Sequence, residues 1–267
     1  MSGGRGGGGR PGPRLVHGVG PVRELVRARP GAVAVVYVEP GRADRREDPV
    51  AELAAAARAA GVTVEPRARA ALDAMAGPDA RHQGVIAVAG ELAPADLDDV
   101  LAIAAARGEP ALVVALDGVQ DPHNLGAIIR SAYLLGAHGV LVPEHRAAHV
   151  TAAVTKASAG ATELVAIAPV KNLVRALGDL REAGLWRAAI HDAPGARPVA
   201  ELDGTLPPAL VLGGEGAGVR TLVARACDFH AVIPMAGRGV GSFNVSVAAA
   251  IALYEVSRQR AAAAARG

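Results

Sequence analysis

The stretch Leu112-Val113-Val114-Ala115-Leu116-Asp117-Gly118-Val119-Gln120-Asp121-Pro122-His123-Asn124-Leu125-Gly126-Ala127-Ile128-Ile129-Arg130-Ser131-Ala132 decides the fold. It opens on five apolar residues without alternation, the pattern of a strand buried on both faces. A loop rich in Gly, Asp and Pro follows, then an apolar helical run over residues 125–135. The same unit recurs downstream. Strands are expected at 112–116, 140–142, 164–167, 187–190, 210–212 and 231–233. Helices are expected at 151–158, 172–183, 222–226 and 245–260. Apolar strands spaced by helices predict an α/β domain, a mostly parallel sheet with helices on both faces, over residues 110–262. Ligands of such sheets bind beyond the carboxyl ends of the strands, so the loops there are the ones to read.

Upstream, residues 15–90 read as a smaller α/β unit with strands at 32–38, 62–64 and 85–89 and helices at 21–29, 49–60 and 69–76. Residues 1–14 are Gly, Arg and Pro without periodicity and are expected to be a disordered tail. Residues 91–109 carry acids early and Arg107 late, the charge order that suits a helix dipole. This segment reads either as a connector or as the first helix of the larger domain.

Hydrophobic residues make up 51% of the 267 and aromatics 2%, so Leu, Val, Ile and Ala must fill the core. No run of roughly 18 apolar residues, the length of a membrane span, occurs, and the N-terminus lacks an apolar signal segment. A cytoplasmic protein without membrane contact is expected. A single cysteine, Cys227, excludes an internal disulfide and a Cys-based zinc site, and no metal is expected. The net charge is +2. Lys156 and Lys171 are the only lysines, so the positive charge is nearly all arginine, a planar fork suited to phosphate. Such weak basicity permits nucleic-acid binding without establishing it.

Three loops carry candidate chemistry. In the first, Asn124 precedes the apolar run and has an obvious job as helix N-cap. Arg130 lies within that run, where an unpaired buried guanidinium is costly. It therefore snorkels to the surface, pairs with a carboxylate, or serves a ligand. The second loop, Leu212-Gly213-Gly214-Glu215-Gly216-Ala217-Gly218, sets four glycines around one glutamate at a strand end. Glycine permits positive φ and close approach of a ligand to the backbone. The loop is neither a P-loop nor a dinucleotide fingerprint, which argues against a nicotinamide-dependent dehydrogenase. The third runs Ile233-Pro234-Met235-Ala236-Gly237-Arg238-Gly239-Val240-Gly241-Ser242-Phe243-Asn244-Val245-Ser246 into the last helix. Ser242 or Asn244 suits the N-cap, and the helix start offers free amides to an anion. Phe243 is either a core residue or a platform for a planar ring.

Together the three loops resemble the motifs of the SpoU (TrmH) family of RNA 2′-O-methyltransferases: an Asn and Arg, a Gly-Glu-Gly turn, and an Ile-Pro-Met loop ending in Ser-x-Asn-x-Ser-x-Ala. The likeness spans about 111–260. The first unit resembles the family's RNA-binding domain through His17-Gly18-Val19-Gly20-Pro21-Val22 and Arg81-His82-Gln83-Gly84-Val85. The loop from Gly237 to Gly241 is about one residue longer than the family pattern. The resemblance implies a trefoil-knotted SPOUT domain, a homodimer that completes the site, and S-adenosyl-L-methionine as cofactor. It implies cofactor contacts from Gly213, Gly214, Gly216, Ile233, Met235 and Phe243. It gives Arg130 the role of acting on a ribose 2′-hydroxyl, with Asn124, Glu215, Ser242 and Asn244 orienting Arg130 and the substrate, and Glu215 as the carboxylate partner of Arg130. The implied substrate is RNA, a guanosine of 23S rRNA first and tRNA second. A non-catalytic RNA-binding or ribosome-assembly factor on the same fold is the competing class. An intact set of five polar site residues argues for the enzyme.

Overall fold

The computed structural model describes every residue except 1–12, 44, 46, 78, 79, 91, 93, 146, 149, 217, 238–240 and 267. Most of the expected tail and the centre of the third loop, where the extra length falls, thus lie outside the described residues. The chain divides into two compact units, Met1–Ala93 and Pro94–Gly267.

The first unit contains β1 (Arg14–His17), α1 (Val19–Ala28), β2 (Val33–Val38), α2 (Pro40–Ala43), α3 (Pro49–Ala59), β3 (Val64–Pro66), α4 (Arg69–Ala76) and β4 (Val85–Ala89). Its sheet runs β1-β4-β2-β3, with β4 antiparallel to both neighbours and β3 parallel to β2. Arg14, expected in the tail, is the first residue of β1 and faces Ala89 across the ladder. Val16, Leu25, Val36 and Leu53 are buried in one core, each such side chain contributing about 1.5–3 kcal/mol on burial. Asp48 caps α3 by accepting from Val50 N at 2.9 Å. The Arg42 guanidinium beside Asp48 holds that carboxyl below its ordinary value.

The second unit contains α5 (Leu97–Arg107), β5 (Val113–Asp117), α6 (Pro122–Leu134), β6 (Gly139–Pro143), α7 (Ala152–Ala157), β7 (Ala166–Val170), α8 (Leu173–Glu182), β8 (Trp186–Ile190), β9 (Arg197–Pro198), β10 (Pro208–Gly213), α9 (Thr221–Arg225), β11 (Phe229–Val232) and α10 (Val245–Ala264). The sheet order is β7-β6-β5-β10-β8-β11-β9 and every pairing is parallel. Val113, Ala115 and Val211 point into a core shared with α5, α8 and α9. Their neighbours Val114, Leu116 and Leu212 are equally buried. The other face carries α6, α7 and α10, of which α6 packs against both helices. Burial on both faces is why the strands read as unbroken apolar runs.

Helix α5 belongs to this unit rather than standing free between the two. Val100 presses on Gly139 so closely that a Cβ there would lie 2.4 Å from Val100 Cγ2. A reciprocal Asp96–Asp99 capping box starts α5, and Gly108 ends it at φ 64°. Strand β7 begins two residues later than expected, because a single 3-10 turn takes up Ala161–Glu163 after Gly160 at φ 89°. Under β8, the buried Arg187 guanidinium bonds Asp228 and the carbonyl of Leu177. That pairing holds the Asp228 carboxyl low and ties β8 to the entry of β11.

Chain order runs outward from β5 to β6 and β7, then returns to fill the other side of β10. The carboxyl ends of β5 and β10 therefore lie side by side at the switch in strand order, where a crevice is expected.

Candidate active site

The loops that follow β5 and β10 are joined by their backbones. Gly214 N donates to the carbonyl of Asp117 at 2.9 Å, and Gly218 N to the carbonyl of Gly214 at 3.1 Å. The Asp117 carboxylate, 2% exposed, accepts from Arg220 N and Arg220 Nε, both at 2.7 Å. A buried carboxylate needs such partners. Asp117 thus pins the far end of the Gly-Glu-Gly turn. Sequence reading assigned it no role, although an acid closing an all-apolar strand was a usable signal; its partner 103 residues away gave none.

The same packing accounts for the glycines. A Cβ on Gly213 would sit 1.9 Å from the carbonyl carbon of Gly218, and one on Gly214 would sit 2.0 Å from the carbonyl oxygen of Gly118. Gly216 and Gly218 have φ of 81° and 61°. Close approach of a ligand was the expected reason for these four glycines. In the structure the chain's own backbone already requires them.

Asn124 does not cap α6. Asp121 does, accepting from His123 N at 3.0 Å with Pro122 as the first helical residue. Asn124 lies one turn inside, buried, where its amide joins the other two loops. Its Nδ2 donates to Glu215 Oε1. Its Oδ1 accepts from Asn244 Nδ2 at 3.1 Å. Asn244 in turn caps α10, its Oδ1 accepting from Ser246 N at 2.9 Å and Ser246 Oγ at 2.6 Å. The result is a line Ser246–Asn244–Asn124–Glu215 through all three motifs. Each amide is bonded at both ends, which fixes its orientation. Ser246 is the member missing from the expected site residues.

Glu215 therefore pairs with Asn124 and not with Arg130. Arg130 is exposed on α6 and has no hydrogen-bond or ion-pair partner among the described residues. Of the openings expected for it, the structure shows a guanidinium facing solvent.

Beside this line lies a cavity of about 590 Å³ at the carboxyl ends of β8, β10 and β11. All six expected cofactor residues line it: Gly213, Gly214, Gly216, Ile233, Met235 and Phe243. Glu215, Ser242 and Asn244 line it as well, whereas Asn124 stands behind Glu215 and Arg130 lies outside the lining. Phe243 is 39% exposed and Met235 38%, so Phe243 is a wall of the opening rather than a core residue. The cavity fits S-adenosylmethionine chemically. Ile190, Leu212 and Val232 supply apolar wall for an adenine ring, and the carboxylates of Asp192 and Glu215 face a ligand that carries a sulfonium cation. Burial pushes the Cys227 thiol up to about 12, so this chain offers no reactive thiolate at neutral pH.

Comparison with known proteins shows the family of the chain. The profile of the SpoU rRNA Methylase family matches residues 111–254, more than half of the chain. A second profile, RNA 2′-O ribose methyltransferase substrate binding, matches residues 15–95. The 23S rRNA (guanosine-2′-O-)-methyltransferase RlmB of a Burkholderia species is 44% identical over 92% of this chain and 97% of its own length. RlmB of Coxiella burnetii is 40% identical over 93% and 97%. Among solved structures, the SpoU methyltransferase AviRb of Streptomyces viridochromogenes in complex with AdoMet superposes with a TM-score of 0.74 at 29% identity, covering 94% of this chain and 92% of that one. The chain belongs to the SpoU rRNA methylase family and is an S-adenosylmethionine-dependent RNA ribose methyltransferase.

Proposed function

We propose that this protein methylates the ribose 2′-oxygen of a guanosine in 23S rRNA, in the cytoplasm and as a homodimer. The observation that carries the reading is the hydrogen-bonded line from Ser246 to Glu215, which sets three separate loops in one arrangement beside the cavity. The two RlmB relatives, matched over almost their whole length, favour the 23S rRNA guanosine over tRNA. The first unit is assigned to RNA binding, consistent with its profile match. A SPOUT knot formed by the second and third loops is part of the same proposal.

The cofactor supplies a methyl carbon made electrophilic by its sulfonium. The chain must position a weakly acidic hydroxyl and stabilise the alkoxide that develops on it. A guanidinium, with a pKa above about 12, is a poor base. Arg130 instead acts as an electrostatic clamp, donating to the 2′-oxygen and the adjacent phosphate as the hydroxyl proton passes to solvent. Its place outside the cavity lining of its own chain supports a site completed between two copies. Asn124, Glu215 and Asn244 keep the cavity wall in register, and Ser242 at its rim faces the incoming ribose.

Arg130→Ala is expected to abolish methyl transfer to rRNA while calorimetric binding of S-adenosylmethionine and the unfolding midpoint stay at wild-type values. Turnover at the wild-type rate would remove Arg130 from the mechanism. Ribose-methylation mapping of total RNA from a deletion strain tests the target. Unchanged 23S rRNA would sink the rRNA assignment.

A further inference from the structure

Strand β8 ends at Ile190 and the chain turns through His191 and Asp192, both of which line the cavity. Strand β11 lies parallel to β8, with His230 in register with Ala189. This register brings two imidazoles together. His191 Nε2 and His230 Nδ1 are 2.7 Å apart, with ring centroids separated by 5.0 Å and tilted 38°. Both rings are half-buried.

A contact of that length holds one proton. Two bare nitrogens, or two N–H groups, would repel. In the neutral pair one ring donates across the contact, and the accepting ring carries its own proton on its outer nitrogen. The donor's outer nitrogen is then bare. A third proton can go there with the shared bond intact, whereas a fourth must break it. The pair therefore takes up a single positive charge as a unit. That charge would sit in the wall of the cavity.

Methyl transfer changes the charge of what the cavity holds. The cofactor carries a sulfonium; its demethylated product, S-adenosylhomocysteine, is a neutral thioether at the same sulfur. We propose that the His191–His230 pair is a charge-discriminating element of the cofactor cavity: neutral, it admits the sulfonium form, and protonated, it disfavours that form relative to the demethylated product. This inference rests on the assignment of the cavity to S-adenosylmethionine. Among the described residues, the ionisable groups that line the cavity beside His191 are Asp192 on its own turn and Glu215 from the loop after β10, both favouring a cation. His230 meets His191 from β11. Arg197 on β9 lies over the Phe229 ring, 5.5 Å from its centroid, on the flank of the same strand.

The direction of the effect follows from burial. Desolvation and then the charge of His230 hold the His191 imidazole below its ordinary value of 6.5, with Asp192 opposing. At neutral pH the His191 imidazole in the cavity wall is uncharged and the sulfonium form is accepted. Charge on His191, and with it the discrimination, appears as the pH falls below the ordinary histidine value.

The test is calorimetric binding of S-adenosylmethionine and of S-adenosylhomocysteine to the full chain at pH 7.5 and pH 5.5. The wild-type affinity ratio, cofactor over product, is expected to fall roughly tenfold on acidification, the size of a unit charge pair about 10 Å apart at an effective dielectric near 20. His191→Gln, which keeps a hydrogen-bonding side chain but cannot charge, is expected to lose that fall; titration of the ligands themselves is common to both proteins. His191→Asn, which likewise cannot charge, repeats the test should the first variant fold poorly. A wild-type ratio independent of pH, or one whose fall survives in both variants, overturns the proposal. Binding of neither ligand at pH 7.5 would instead remove the cofactor assignment of the cavity, and the pair's role with it.

Discussion

In the loop after β10, a Cβ on Gly213 or Gly214 would enter the backbone of residues 218 or 118, at 1.9 and 2.0 Å. In the loop before α10, a Cβ on Gly237 or Gly241 would meet no atom of the described residues within 4 Å. Both loops are glycine-rich and both line one cavity, yet the cause of the glycine differs. The first loop is folded onto the strand ends, and its glycines are required by chain meeting chain. At Gly237 and Gly241 the described chain makes no such demand. A glycine-rich sequence therefore does not by itself mark where a ligand touches the backbone.

That contrast can be broken by alanine. The largest effect is expected for Gly214→Ala. The atoms in the way are the Gly118 carbonyl and Val119 N, which are backbone and cannot swing aside. Overpacking of that kind costs about 3 kcal/mol, read as a lower midpoint in urea unfolding. An unchanged midpoint would mean that the loop relaxes freely and that the contrast is false. Gly216→Ala should fall in between. Nothing lies within 4 Å of its Cβ position, but its φ of 81° strains an L residue, worth about 1 kcal/mol. A loss as large as that of Gly214→Ala would point to a contact rather than a backbone angle. Gly241→Ala sharpens the other side: its stability is expected within about 0.5 kcal/mol of wild type, as for surface changes away from strained sites. Weakened S-adenosylmethionine binding in calorimetry at unchanged stability would show that this loop's glycine serves the ligand.

The order of elements in the larger unit was legible because its parallel strands are buried on both faces and its helices separate them at regular intervals. The boundaries that moved were those set by single turns. Asp121 and Pro122 start α6 before Asn124, and a 3-10 turn displaces the start of β7. Strand β9, two residues long, has no apolar run to announce it and exists through its pairing with β11. In the first unit Arg14 looks like tail by composition and is strand by its pairing with Ala89.

At the site, residue types and loop order pointed to the strand ends where the cavity lies, because ligands of an open α/β sheet collect there. What each residue touches was not legible. Glu215 and Arg130 were natural partners by charge, but Arg130 projects from α6 to solvent while Asn124 faces the strand ends and takes the carboxylate. The sequence by itself determined the apolar strand pattern, the two-unit organisation and the three polar loops, since these rest on periodicity and on residue type within a few positions. Only the tertiary structure decided that Asn124 joins Glu215 to Asn244, that Asp117 holds Arg220, and that His191 meets His230. Those contacts span 39 to 120 residues and depend on which strand ends the parallel sheet sets side by side.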